Sequence, residues 1–288
     1  MRSGAPDGVA APAAASACPV CSGSGVPEDR FGPAPLFRCV ACGFTYLVDE
    51  VGSELYGDRY FEAYAGGDYL AHASRRRRES RVRLGLLARV APPPGRLLEI
   101  GAAAGFFLEE AGALGYEGLG IEPNPAMAAF ARDTLGVDVR TGKLGAVALE
   151  AASFDAACAF HVIEHLDEPL AAMRSIHAAL RPGGHVFVEV PNAESAGARR
   201  RGADWPPLDL PYHVGHHGPR SLRTVLERAG FEVLLVDTVP FALYGGASRP
   251  ERLARGALEA ARSRVLLPAG PHPHGNQLLR ALGRRAPA

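Results

Sequence analysis

Between residues 96 and 236, short apolar runs alternate with segments whose apolar residues recur every three or four positions. The runs at 97–101, 116–122, 137–140, 154–160, 185–190 and 231–236 read as strands bounded by turn residues. Residues 106–114 read as a helix ended by Gly115. Asn124 caps a second helix, with Pro125 at its first position and Gly136 just past its end. Glu168 or Asp167 caps a third that runs to Leu180, and Gly218-Pro219 opens a fourth that Gly230 ends. This alternation predicts a parallel sheet with helices on both faces, a doubly wound α/β fold. Upstream, residues 68–90 predict a helix with Leu70, Val82, Leu86 and Leu87 on its apolar side, stopped by Pro92-Pro93-Pro94-Gly95. Residues 191–217 lack either period and read as a long polar loop, the kind that usually carries function. Residues 250–288 are rich in Arg and Ala and predict helical stretches broken by Pro and Gly.

The resulting divisions are a disordered tail at 1–17, a cysteine module at 18–48 and an aromatic segment with its helix at 49–90. The main domain follows at 91–241, with a C-terminal extension at 242–288. At 288 residues the chain has room for one large domain and an appendage. Lys plus Arg and Asp plus Glu both number 31, so the formal net charge is zero, which counts against a nucleic-acid backbone as the main partner. No run of about 18 apolar residues offers a membrane span. The residues before Cys18 have no apolar core of a secretory signal, so a cytoplasmic, reducing location is expected.

Cys18-Pro19-Val20-Cys21 and Cys39-Val40-Ala41-Cys42-Gly43 are two C-x₂-C pairs with 17 residues between them. Four thiolates in this spacing can close a tetrahedron around Zn²⁺, and they leave no position open for water, so the expected metal is structural. Gly43 permits a tight turn at the second pair. A module this small has little core of its own and depends on its metal to fold. Cys158, in the fourth strand, reads as a small buried apolar residue.

The first strand meets the first helix at Glu99-Ile100-Gly101-Ala102-Ala103-Ala104-Gly105-Phe106. Small residues let a ligand approach the backbone, and the helix start adds partial positive charge. The dinucleotide spacing G-x-G-x-x-G fails, because Ala103 and Phe106 stand where it needs glycine. Glu122 ends the next strand, where a carboxylate accepts bonds from both hydroxyls of a ribose. Glu99 can accept from an ammonium. Together they describe a pocket for a nucleoside bearing an amino-acid tail.

At this point the chain resembles the class I S-adenosylmethionine-dependent methyltransferases. The motifs are Glu99 through Gly105, then Gly120-Ile121-Glu122, Phe154-Asp155, His161-Val162-Ile163-Glu164-His165 and Leu180-Arg181-Pro182-Gly183-Gly184, in that order. They resemble the branch containing the ubiquinone-biosynthesis O-methyltransferases. The resemblance implies cofactor contacts at Glu99, Gly101, Ala103, Gly105, Phe106, Glu122, Pro123, Leu144, Phe160, His161 and Tyr60. Ala103 departs from the family's usual middle glycine. The turn Thr141-Gly142-Lys143-Leu144 lacks the acidic residue that often contacts adenine, which leaves backbone and apolar contacts for that ring.

His161 through His165 follows the fourth strand, on the side where ligands bind in such sheets. A neutral imidazole is a suitable base near pH 7 for an acidic O–H or N–H acceptor. The resemblance implies that Glu164 and His165 lie near the substrate and in some relatives help to hold a divalent metal. It also places Pro211-Tyr212-His213-Val214-Gly215-His216 over the active site. Glu164, His165 and His213 are therefore expected to be catalytic, with Trp205, His216 and Tyr64 toward the substrate. The aromatic segment with Tyr60 and Tyr64 is expected to fold over the cofactor or simply to pack. Arg75, Arg76, Arg77, Arg78, Arg81 and Arg83 read as a solvated helix face or as an RNA-binding stripe.

The leading expectation is methyl transfer to an O, N or C nucleophile of a small molecule. The alternatives are an RNA guanine methyltransferase with a zinc module, a non-catalytic zinc-ribbon interaction protein, and a nicotinamide oxidoreductase, against which the failed glycine spacing argues.

Overall fold

The computed structural model describes residues 17–48, 68–239 and 276–288. The expected tail, the aromatic segment with Tyr60 and Tyr64, and residues 240–275 lie outside the described residues. At the centre is a seven-stranded sheet formed by β4 (Gly95–Ile100), β5 (Tyr116–Glu122), β6 (Asp138–Thr141), β7 (Phe154–Phe160), β8 (Leu180–Pro191), β10 (Phe231–Val239) and β11 (Leu278–Arg285). Its order is β6-β5-β4-β7-β8-β11-β10. The five strands from β6 to β8 are parallel, and β11 runs antiparallel to both of its neighbours. The direction of winding reverses between β4 and β7, and a crevice outside their carboxyl ends is where ligands bind in such sheets.

Burial on both faces accounts for the apolar runs. Leu97, Leu98 and residues 156–159 of β7 are fully buried. Helices α3 (Phe106–Ala113), α4 (Pro125–Leu135), α5 (Pro169–Ala179) and α7 (Pro219–Arg228) follow their strands as the pattern predicts. The Asn124 side chain accepts from Met127 N at 2.9 Å, and Gly136 closes α4 in the left-handed conformation at φ 68°.

Three expectations require correction. Residues 276–288 do not form a helical extension: β11 inserts between β8 and β10, where Leu278, Leu279 and Ala281 are buried. In the helix before the sheet, α1 (Asp68–Ala71) with α2 (Ala73–Leu87), Leu70, Leu86 and Leu87 pack inward as expected, but Val82 does not. Val82 is 40% exposed, whereas Glu79 and Arg83 are buried. The reason is an ion pair: Arg83 Nε donates to Glu189 Oε2 in β8 at 2.9 Å, and Arg280 of β11 donates to Oε1 at 2.8 Å. The long loop is also less polar than its composition suggests. It holds α6 (Ala196–Arg201), two 3₁₀ turns and the two-residue strand β9 (Gly215–His216), and it buries Trp205, Leu208 and Val214.

The cysteine module forms β1 (Gly25–Pro27), β2 (Leu36–Cys39) and β3 (Thr45–Leu47) in an antiparallel meander. Its fourth strand is β9, supplied by the long loop, with Thr45 opposite His216 and Tyr46 opposite Gly215. Phe31 and Leu36 share one apolar cluster with Ala193, Ala198, Trp205 and Leu208. The module is thus packed onto the main domain.

Candidate active site

The turn from β4 to α3 is left-handed at three positions, Gly101 (φ 72°), Ala103 (φ 45°) and Gly105 (φ 80°). A Cβ on Gly101 would stand 2.5 Å from Val162 Cγ2, and one on Gly105 would stand 2.9 Å from Ala131 Cβ in α4. Both glycines therefore serve close packing as well as the turn. Ala103 takes a conformation that L residues avoid, and its N–H is anchored to Glu122 Oε2 at 2.7 Å. Glu122 Oε1 accepts from Asn124 N at 2.8 Å. Two of the roughly four acceptor positions of this carboxylate are used in this way, and the others remain for a ligand.

Glu99 is 5% exposed at the carboxyl end of β4, and its Oε2 has no hydrogen-bond partner. Burial drives its pKa well above the usual carboxylate range, against the opposing charge of Arg83. Burial likewise raises Glu122, against the two backbone N–H bonds. A buried carboxyl with an orphaned oxygen fits an incoming ammonium, and a carboxylate one strand over fits ribose hydroxyls. Pro123 is exposed beside Glu122, and Leu144 is half-buried in the turn after β6, bridged to Val147. Phe106 lies beneath the turn, stacked on Tyr69 at 6.2 Å. Phe160 is edge-on to Phe107 at 5.1 Å and Phe187 at 5.4 Å, with Arg83 over its ring. Both rings therefore spend their faces on packing.

At the end of β7 the chain passes through His161 in the left-handed region (φ 58°) into a 3₁₀ turn, Ile163–His165. Glu164 is 1% exposed, and neither of its oxygens has a well-formed hydrogen bond. His161 Nδ1 lies 3.5 Å from Oε1, at the outer limit of such a bond. Burial works to raise the Glu164 pKa, but His161 and the charges of His165 and His213 outweigh it and bring it down to about 2.

His213 arrives from the long loop, and its ring centre is 4.5 Å from that of His165. The Nδ1 of His165 is 3.0 Å from Tyr212 O, and that of His213 is 2.7 Å from Pro207 O. A carbonyl only accepts, so in the neutral ring each Nδ1 carries the proton and Nε2 becomes the basic nitrogen. Burial lowers the His165 pKa, which keeps the ring neutral at pH 7. Glu164, His165 and His213 each offer a ligand atom within 4.8 Å of the others. His216 lies 6.4 Å from His213 by ring centres, and Phe31 is 6.0 Å from His216 and 5.9 Å from Trp205.

The four cysteine sulfurs also lie within 4.8 Å of one another. Cys18 and Cys42 are 3.7 Å apart, and Cys21 and Cys39 are 3.4 Å apart. A zinc tetrahedron with bonds of about 2.3 Å has edges of about 3.8 Å, close to these spacings. Gly43 makes the predicted turn at φ 79°, its N–H donating to Cys39 O at 2.9 Å. The contact with Cys42 brings the Cys18 thiol down to about 5, against the upward effect of burial.

Sequence reasoning missed Phe31 and Phe44, ribbon residues that touch the histidine loop, and the Arg83–Glu189–Arg280 triad beneath the site. Only Phe44 left a signal, standing two residues after the second cysteine pair. Tyr60 and Tyr64 are outside the described residues.

A family model described as a methyltransferase domain matches residues 69–236. A ubiquinone biosynthesis O-methyltransferase of Xanthomonas campestris is 34% identical over 115 residues, 38% of this chain and 48% of that protein. The chain thus spans about half the length of that curated relative. A protein of Mycolicibacterium smegmatis described as a probable S-adenosylmethionine-dependent methyltransferase is 30% identical over 184 residues, 64% of this chain and 68% of that protein. Among solved structures, a SAM-dependent methyltransferase of Thermotoga maritima shares the fold with a TM-score of 0.55 at 23% identity, covering 79% of this chain and 98% of that one. Another from Archaeoglobus fulgidus gives 0.54 at 21% identity, covering 75% and 99%. Since the family match takes in more than half of its residues, the chain belongs to the methyltransferase-domain family.

Proposed function

We propose that the protein transfers a methyl group from S-adenosylmethionine to an O, N or C nucleophile of a small biosynthetic molecule. The observation that carries this reading is the buried, orphaned Glu99 oxygen beside a left-handed turn, with Glu122 at the next strand tip. S-adenosylmethionine, when bound, supplies an electrophilic methyl group. Glu99 receives its ammonium and Glu122 its ribose hydroxyls. His165, neutral and oriented by the Tyr212 carbonyl, takes the acceptor's proton on Nε2. His213 and Glu164 stand beside it to steady the resulting imidazolium, while Trp205 and His216 border the acceptor.

Two metal roles accompany this reading. Cys18, Cys21, Cys39 and Cys42 would hold a structural zinc ion, in keeping with a reducing, cytoplasmic location. In an alternative form of the acceptor side, in which His165 Nε2 is a ligand and not the base, Glu164, His165 and His213 would hold a divalent ion that orients and acidifies an acceptor hydroxyl. Among the described residues no helix is long and apolar enough to cross a membrane.

A small-molecule acceptor is favoured over RNA by the state of the arginine run. Arg75 and Arg76 pair with Glu79, Arg77 with Glu109, Arg81 with Glu110 and Arg83 with Glu189, so five of the six arginines of the stripe already have carboxylate partners. The test uses S-adenosylmethionine labelled in its methyl group, incubated with a small-molecule extract and, separately, with total RNA. Label is expected in the extract. His165→Ala is expected to reduce it by roughly 10²–10⁴-fold, with adenosylhomocysteine binding intact. Nuclease-sensitive label in RNA would overturn the acceptor assignment.

A further inference from the structure

The ribbon's contacts converge on the histidine loop. Phe44 follows Cys42 by two residues, and its carbonyl accepts from Cys39 N at 2.8 Å, so the second cysteine turn fixes its backbone. The Phe44 ring is 1% exposed and lies 4.6 Å from the ring of His217. A Cβ on Gly215 would stand 2.5 Å from Phe44 Cζ, so ring and strand are in close contact. Beside it β3 pairs with β9, and Leu47 N donates to Val214 O at 2.9 Å. Phe31 adds a second ring, its centre 5.9 Å from that of Trp205 and 6.0 Å from that of His216.

What these contacts restrain is costly to hold. His216 and His217 are 3% and 0% exposed, and the Nε2 of each is buried with no hydrogen-bond partner. Such atoms gain free energy by reaching water. A two-residue strand makes too few bonds to prevent that by itself. Part of the restraint comes from the end of β8, where Ala193 N donates to His217 O at 2.9 Å, and the ribbon adds the rest from outside the main domain.

We infer that the cysteine ribbon is the positioning element of the acceptor side: Phe44, held by the Cys39–Cys42 turn, clamps Gly215 and His217 and so keeps His213 against His165 and Glu164. This rests on the zinc and methyltransferase readings above. Phe44 touches no reacting atom and acts through the histidine loop.

The test is residue-by-residue modification of imidazoles by diethylpyrocarbonate in the full chain, read by mass spectrometry. In the zinc-loaded protein, His216 and His217 react slowly. Phe44→Ala is expected to keep one zinc per chain and to hold adenosylhomocysteine affinity within about threefold, while His213, His216 and His217 react roughly tenfold faster or more, as in a local opening. Phe44→Leu restores most of the protection. Stripping zinc from the unaltered protein with a chelator reproduces the Phe44→Ala pattern. Gly215→Ala, which pushes the same contact apart from the other side, does likewise. Unchanged protection in both Phe44→Ala and the stripped protein overturns the inference. A parallel loss of adenosylhomocysteine binding also overturns it, because Phe44 would then merely support the common core. Zinc content and adenosylhomocysteine binding of the unaltered protein test the two underlying readings separately.

Discussion

The two sides of the site are built in different ways. The proposed cofactor side comes from one continuous β-α-β stretch: Glu99, Gly101, Ala103, Gly105 and Glu122 all lie on β4, β5 and the turn after β4. Each takes its position from backbone geometry set by its immediate neighbours. The acceptor side is gathered from three distant segments: the end of β7, the loop before α7, and the ribbon that pairs with that loop. One side is local and rigid. The other depends on long-range contacts, and buried polar atoms without partners occur on both, Glu99 Oε2 on the first and Glu164, His216 and His217 on the second. Binding the invariant part of a reaction suits the first kind of construction, and accommodating a variable acceptor suits the second.

That contrast can be broken or sharpened by experiment. The largest expected effect erases it. Glu189 is fully buried between Arg83 and Arg280, beneath both sides. Glu189→Ala removes the carboxylate that two buried guanidinium groups share, and about 3–5 kcal/mol of stability is expected to be lost in chemical denaturation. Cofactor binding and histidine protection should fall together.

Glu122→Ala should separate the sides. It removes the acceptor for two charge-assisted bonds to the ligand at roughly 1.5 kcal/mol each, so adenosylhomocysteine affinity falls roughly 100-fold by calorimetry. Zinc content and histidine protection should stay as they were.

Acid should separate them the other way. Burial, with the charges of neighbouring histidines, brings His216 down to about 3, and burial brings His217 down to about 4. An unfolded imidazole titrates near pH 6.5, so below that the opened loop binds more protons than the closed one. Stability from the neutral buried rings is complete above about pH 6.5 and drains away as the pH falls toward 4 and then 3. Amide exchange in β9, corrected for its intrinsic rate, should accelerate between pH 7 and pH 5 while β4 and β5 hold. Equal protection of β9 at both values would count against the contrast.

The smallest effect lies within the rigid side. Ala103→Gly relieves a left-handed alanine, with an expected gain of about 1 kcal/mol in thermal unfolding and no change on the acceptor side.

The same contrast decides what was legible in the sequence. The parallel strands and the caps at Asn124 and Gly136 each depend on residues a few positions apart, and the Glu99–Glu122 pair lies within one β-α-β unit, so one sequence displays them. β11 did not show, because Leu278, Arg280, Ala281 and Leu282 have helix-forming side chains. Their burial between two strands overrides that preference. On α2 only Val82 was misplaced, and Arg83 was placed in solvent, for a related reason. Arg83 looks solvated until Glu189 and Arg280, from β8 and β11, are brought to it. The cysteine spacing announced four ligands, but no pattern said that the ribbon's last strand would come from residues 215 and 216. His165 and His213 were both singled out, yet their contact at 4.5 Å is a property of the assembled loop.

The shared strand bears on how this protein could have been put together. A ribbon whose sheet ends on β3 leaves an open edge, and a methyltransferase domain without the ribbon leaves β9 with no partner and Trp205 uncovered. Neither piece is a self-sufficient module. The ribbon cannot be grafted onto another methyltransferase as a cassette unless the loop carrying Trp205, His213 and His216 travels with it. The inherited unit is therefore discontinuous in sequence: a four-cysteine sheet and, more than 150 residues later, the short strand that completes it.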